Sequence, residues 1–321
     1  MRASDHDRSA DSNADGEDVT MMTKRTHLAT GMALFAATAL ALTGCAGAGE
    51  DGAAAESGDA DRPIQLAVFN GWDEGIAASY LWQAVLEEQG YDVEMTYADV
   101  APVYAGLAKG DFDLVLDTWL PTTHADYMDQ YGDDIVDLGV WNEEASLTIA
   151  VNEDAPIDSL EELAAHADEF GNQIVGIEPG SGLMRITGDD VVPGYGLEDM
   201  DLIESSTPAM LAELKSATDA GENIAVTLWR PHWAYNAFPI KDLEDPQGLL
   251  GDAEGIHSVS SSAFGDDFAT VSEWIADFEM PSDLLYSLED AMFNQYDGDD
   301  YGPVVEKWIE ENQEYVDGLT S

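Results

Sequence analysis

From residue 64 onward, short apolar runs alternate with stretches whose apolar positions recur every three or four residues. The runs predict strands at 65–70, 91–97, 113–118, 147–151, 174–177, 224–228 and 256–260. The longer periodic stretches predict helices at 76–89, stopped by Gly90, and at 103–108. A helix starts near Asp158-Ser159-Leu160-Glu161-Glu162, with serine or aspartate as its cap, and another at Ser206-Thr207-Pro208, with the proline in its favoured first turn. Helices then dominate to the C-terminus, around 271–278, 284–294 and 304–312. Strands alternating with amphipathic helices imply α/β layers. No sequence repeat is evident. The expected boundary is discontinuous: 64–145 plus 262–321 form lobe 1, and 146–261 form lobe 2. Two strands, 147–151 and 256–260, cross between them as a hinge.

The N-terminus follows a different pattern. Lys24 and Arg25 precede the run 28–43, which carries no charge. Its 16 residues fall short of the roughly 20 needed to span a bilayer. A basic start, an apolar centre and a small-residue end give the three-part form of a secretory signal. The run ends in Leu42-Thr43-Gly44-Cys45, which resembles the lipobox of bacterial lipoproteins. Cys45 is the only cysteine, so the expectation is lipidation there, with residues 1–44 as upstream extension and signal peptide. A lone cysteine also makes an intrachain disulfide impossible. Residues 1–20 hold six acids and two arginines, unlike a signal start, so Met21 or Met22 is the expected initiator. Residues 45–62, rich in Ala, Gly, Asp, Glu and Ser, read as the lipidated cysteine and a flexible tether.

Charge narrows the partners. The chain has 66 acidic and 11 basic residues, a formal net charge of −55. Such a surface repels nucleic acid and bare anionic membrane. Yet 45% of residues are hydrophobic, far too many for an acidic disordered chain. From Cys45 onward 60 acids and 7 bases remain, so the acidity belongs to the folded part. No nucleophile elbow, metalloprotease helix, cofactor fingerprint or metal-ligand spacing is found. A calcium-like run, Asp297-Gly298-Asp299-Asp300-Tyr301-Gly302, has Trp308 where the bidentate glutamate belongs. No catalysis, cofactor or metal is expected.

Three tryptophans suggest binding chemistry instead. Trp72, Trp119 and Trp229 each fall at the carboxyl end of a predicted strand, where open α/β sheets bind ligands. A quaternary ammonium has no N–H to donate, so ring faces attract it through cation–π contact, worth about 2 kcal/mol each when desolvated. Sugars also stack on indole, so the cage alone is not decisive. The segment Ile177-Glu178-Pro179-Gly180-Ser181-Gly182-Leu183-Met184 joins a strand to a helix start whose free N–H groups suit one small anion. A glycine turn without a ligand is the plainer interpretation. His124, five residues after Trp119, could donate to a carboxylate in the same crevice, or be an ordinary surface histidine.

Three stretches together resemble the glycine betaine-binding proteins of ABC importers: Gly71-Trp72-Asp73-Glu74, Asp117-Thr118-Trp119-Leu120-Pro121-Thr122-Thr123-His124 and Trp229-Arg230-Pro231-His232-Trp233. The glycine turn, Leu243-Glu244-Asp245-Pro246 and Glu254-Gly255-Ile256-His257 are also similar to that family. The likeness covers about 64–315. It implies a two-lobed periplasmic-binding-protein fold of type II, the venus-flytrap arrangement. It also implies a trimethylammonium cage of Trp72, Trp119 and Trp229, with the ligand carboxylate held by His124 and the amides of Gly182 and Leu183. His232 and Trp233 match family positions outside the cage. The implied protein is an extracytoplasmic receptor, anchored at Cys45 to the outer face of the membrane. It would deliver glycine betaine or a related betaine to an ABC permease with its ATPase, for osmoprotection. A choline receptor and a betaine sensor without a permease are the alternatives.

Overall fold

The computed structural model describes residues 59–298 and 300–321. The signal region, Cys45 and the tether up to residue 58 lie outside the described residues. Nine strands organise the described residues: β1 (Ile64–Phe69), β2 (Val93–Ala98), β3 (Leu114–Leu120), β4 (Ile135–Asn152), β5 (Gln173–Val175), β6 (Asp201–Ile203), β7 (Ala225–Arg230), β8 (Ile240–Asp242) and β9 (Glu254–Ser261). Their order is β2-β1-β3-β9-β4-β7-β5-β6, with β8 beside β4.

The first half is a βαβαβ unit in which α1 (Asp73–Glu88) joins β1 to β2 and α2 (Val100–Lys109) joins β2 to β3. β1 pairs parallel to both β2 and β3. The second half repeats the order: β5 pairs parallel to β6 and to β7, and the helix Thr207–Ala220 links β6 to β7. The topology thus repeats although the sequence does not. β1 and β3 read as near-continuous apolar runs because helices cover both faces of such a sheet. The helix Thr207–Ala220 begins as expected: the Ser206 hydroxyl accepts from the Ala209 N–H, and Pro208 sits in the first turn. Gly221 ends it in the left-handed conformation.

The fold is α/β and two-lobed. A single 18-residue strand, β4, runs through both lobes where only 147–151 had been expected. From Ile135 to Ala145 it pairs antiparallel to β9, and from Ser146 to Val151 it pairs antiparallel to β7. The change of partner falls between Ala145 and Ser146. Glu254, the first residue of β9, lies opposite Ala145, so both strands meet that junction. The polar segment around Glu143 and Glu144 hid the first half of β4. Three register shifts between Asp137 and Ala145 break its alternation.

The structure also starts α1 three residues earlier than expected, at Asp73. Trp72 becomes its N-cap residue, and Asp73 and Glu74 fall in the first turn, where acids favour the helix dipole. The C-terminal helices Ser282–Glu289 and Gly302–Glu311 pack against α1. Among the described residues no helix is long and apolar enough to cross a membrane.

Candidate functional site

The carboxyl ends of the parallel strands of both halves converge on one cavity. Its walls include Trp72, Trp119, His124, Gly182, Leu183 and Trp229, all six residues singled out from the sequence. The atom-free space there, part of it open to solvent, is about 280 Å³. Glu74, Thr123, Leu147, Ile177 and Ser181 complete the lining.

Trp119 and Trp229 lie within their strands, next to the last residue of each, rather than just after them. Each is followed by one residue and a cis-proline, Pro121 and Pro231. Trp72 stacks nearly parallel on His124, with ring centroids 5.4 Å apart, and tilts against Phe69 at 4.8 Å. Among the described ring pairs none joins two of these three indoles, as expected if open space separates them.

His124 is held from two sides. Its backbone N–H donates to the Trp119 carbonyl at 3.0 Å, and its Nδ1 accepts from the Trp119 backbone N–H at 2.9 Å. Burial, reinforced by the charge of Arg185, pushes its pKa down to about 3, so the ring is neutral at physiological pH. With Nδ1 acting as acceptor, the proton sits on Nε2. That buried Nε2 has no hydrogen-bond partner, which leaves a donor beside the cavity it lines. The loop before His124 is fastened by Glu254, whose carboxylate accepts from the backbone N–H groups of Thr122 and Thr123 at 2.7 and 2.9 Å. This links the loop to the junction where β9 begins.

The glycine turn enters from the other half. Ser181 caps the helix Gly182–Ile186, its hydroxyl accepting from the Met184 N–H. In the first helical turn, the N–H groups of Gly182 and Leu183 have no intrahelical carbonyl to bond. A Cβ on Gly182 would overlap the Thr123 carbonyl oxygen, so glycine permits this close approach of the turn to the loop before His124.

The sequence reading missed the acids around the indoles. The Trp229 Nε1–H donates to Glu74 at 2.8 Å, the Trp119 Nε1–H to Asp117 at 2.9 Å and the Trp233 Nε1–H to Asp73 at 2.5 Å. Asp73, Glu74, Asp117 and Glu289 are all buried. Desolvation is the main cause that raises the pKa of each; repulsion within the group adds to it for Glu74, Asp117 and Glu289, and repulsion by Glu178 for Asp73. One Asp117 oxygen and both Glu289 carboxyl oxygens lack a hydrogen-bond partner. Asp117 fits because Gly75 has no side chain: a Cβ there would collide with its carboxylate. Two signals could have exposed these acids. Asp117 interrupts an otherwise apolar strand, and Glu289 shares the buried stripe of Leu285 and Leu288.

The carboxyl oxygens that accept from the Trp119 and Trp229 N–H groups polarise those two rings and so favour a cation between them. The neutral histidine donor and the free amides favour an anionic group at the other end. The cavity therefore suits a small molecule that carries both.

Comparison with known proteins identifies the family. Residues 62–311 match the family described as the substrate-binding domain of ABC-type glycine betaine transport systems. The glycine betaine/carnitine transport binding protein of Listeria monocytogenes is 30% identical over 164 residues, 50% of this chain and 52% of that protein. The match thus spans about half the length of that curated relative. Among solved structures, lactococcal OpuAC, closed and complexed with glycine betaine, superposes with a TM-score of 0.75 at 27% identity, over 81% of this chain and 100% of that one. The glycine betaine/L-proline-binding protein ProX of Borrelia burgdorferi superposes with a TM-score of 0.74 at 30% identity, over 79% of this chain and 95% of that one. The chain belongs to the family of substrate-binding domains of ABC-type glycine betaine transport systems.

Proposed function

We propose that this protein is an extracytoplasmic receptor that captures glycine betaine, or a close betaine, and delivers it to an ABC permease driven by its ATPase. The two lobes, 64–145 plus 262–321 and 146–261, close over the ligand. Trp72, Trp119 and Trp229 surround its trimethylammonium group, while the Nε2–H of His124 and the N–H groups of Gly182 and Leu183 hold its carboxylate. Cys45 carries the lipid that tethers the domain to the outer face of the membrane. The acidic surface is a solvated shell suited to salty surroundings, where betaine serves as an osmolyte.

One observation carries the choice of ligand. A buried, neutral His124 with an unpartnered Nε2–H lies beside three indoles, two of them, Trp119 and Trp229, bonded to buried acids. A cation alone would leave that donor unsatisfied, at a cost of about 1–3 kcal/mol. Glu74, in the cavity lining beside Trp229, supports a second reading, a choline receptor, since loss of its proton would answer a positive charge without a ligand carboxylate. Competition titrations in high salt with glycine betaine, proline betaine, choline, carnitine and proline separate the two. The proposal expects glycine betaine to bind tightest among glycine betaine, choline and proline. Choline displacing glycine betaine at equal concentration contradicts it.

A further inference from the structure

Asp73 is the first residue of α1, directly after the cage residue Trp72. Neither Asp73 nor its partner Trp233 lines the ligand cavity. The Trp233 Nε1–H donates to Asp73 Oδ2 at 2.5 Å, and His232 Nε2 lies 3.7 Å from the same oxygen. Both come from the segment that follows β7, in the other half of the molecule. Glu178, from the turn after β5, also acts on Asp73 and disfavours its charge. From its own half, Asp73 faces Glu74 and Glu289, and Tyr97 also feels its charge.

Among the described residues no positive charge answers Asp73 in this arrangement. His232 Nδ1 accepts from the Ala234 N–H at 3.1 Å, so its proton is on Nε2. Burial keeps the ring neutral, with its pKa pushed down to about 3. Arg230, next to Trp229, is turned to Asp242 at 2.7 Å. Glu289, fully buried with both oxygens unpartnered, opposes any further negative charge nearby.

We propose that Asp73 is a positioning residue that, through Trp233, couples closure of the two lobes over the ligand to the uptake of a proton. The inference rests on the reading that the lobes close over a betaine. On opening, Trp233, His232 and Glu178 leave with their lobe and water reaches Asp73. On closing they return, and the carboxyl is desolvated beside three other acids, Glu178, Glu74 and Glu289.

The sign follows from linkage. In the closed form the Asp73 pKa is pushed up to about 7 by burial, whereas in water it is about 4. The closed form therefore binds more protons. Its advantage is fully present below the open-state pKa and is lost as pH rises through the closed-state value. Betaine affinity should fall between about pH 4 and 7, by at most tenfold per pH unit for one proton.

Calorimetric titration of the full chain with glycine betaine at pH 6.5, in buffers of different ionisation heat, counts the protons directly. Uptake approaching one proton per ligand is expected. Asp73→Asn keeps an oxygen for the Trp233 N–H but cannot titrate, so it should bind betaine with much less uptake. Trp233→Phe loses the donor and should weaken binding several-fold without altering the cavity lining. Binding with the same heat in every buffer overturns the coupling, as does undiminished uptake in Asp73→Asn. Absence of betaine binding in every buffer overturns the betaine reading itself, and the coupling with it.

Discussion

The two halves of this protein share a topology and divide the chemistry. In each, the first strand lies between the second and third, and the last strand delivers a tryptophan followed by one residue and a cis-proline. The turn after the first strand differs. After β1 it carries Trp72, Asp73 and Glu74 at the start of α1, whereas after β5 it carries Ser181, Gly182 and Leu183 at the start of a helix. The first half thus adds an aromatic face and acids where the second offers free amides. Equivalent backbone positions have become opposite electrostatic environments, one suited to a cation and the other to an anion. His124 is the exception: it belongs to the first half yet carries an unpartnered N–H donor beside the cavity. Its loop is held by Glu254 at the junction, rather than by its own half alone.

That contrast can be broken deliberately. The largest effect is expected from the cation end. Trp119→Ala or Trp229→Ala removes one ring face, worth about 2 kcal/mol when desolvated, or about 30-fold in affinity. Glycine betaine and choline should both weaken, as read by calorimetry; unchanged affinity in either variant contradicts the cage. Next is the anion end. His124→Ala removes a donor to a charged group, a bond worth about 1.5–3 kcal/mol. Betaine affinity should fall by about tenfold or more while choline affinity stays nearly constant. Equal losses for both ligands would show that His124 only supports packing.

Gly182→Ala tests where the halves meet. The added methyl overlaps the Thr123 carbonyl oxygen, so closure is expected to be incomplete. Small-angle scattering should then show little ligand-induced compaction, against a clear decrease for the unaltered protein. A smaller effect concerns the surface rather than the cleft. With a net charge of −55, self-repulsion is relieved as the screening length falls to about 3 Å in molar salt. The melting temperature should rise steadily from dilute buffer to molar potassium chloride. A salt-independent midpoint contradicts the view that the acids form a shell for salty surroundings.

Much of this was legible in the residues. Apolar runs marked β1, β3, β7 and β9 to within a few positions, and Ser206 with Pro208 marked a helix start. Tryptophans near strand ends led to residues that line one cavity, because strand direction places those ends together. Other features needed three dimensions. β4 was seen only in part, since its bulges disrupt the period-two pattern that identifies strands. The buried acids were masked by abundance: among 66 acidic residues, Asp73 and Glu74 differ from the rest only in what surrounds them, while Asp117 in an apolar strand and Glu289 in an apolar helical stripe left a weak local mark. The Trp233–Asp73 contact joins residues 160 positions apart, and no local pattern announces it.

The most direct test of the account is a calorimetric titration of the full chain in high salt with glycine betaine, repeated with choline as competitor. A saturable one-to-one isotherm, with glycine betaine bound at least tenfold more tightly than choline, is the predicted result. No binding of glycine betaine, or choline bound as tightly or more so, would contradict the claim that the cavity holds a cation at the indoles and a carboxylate at His124.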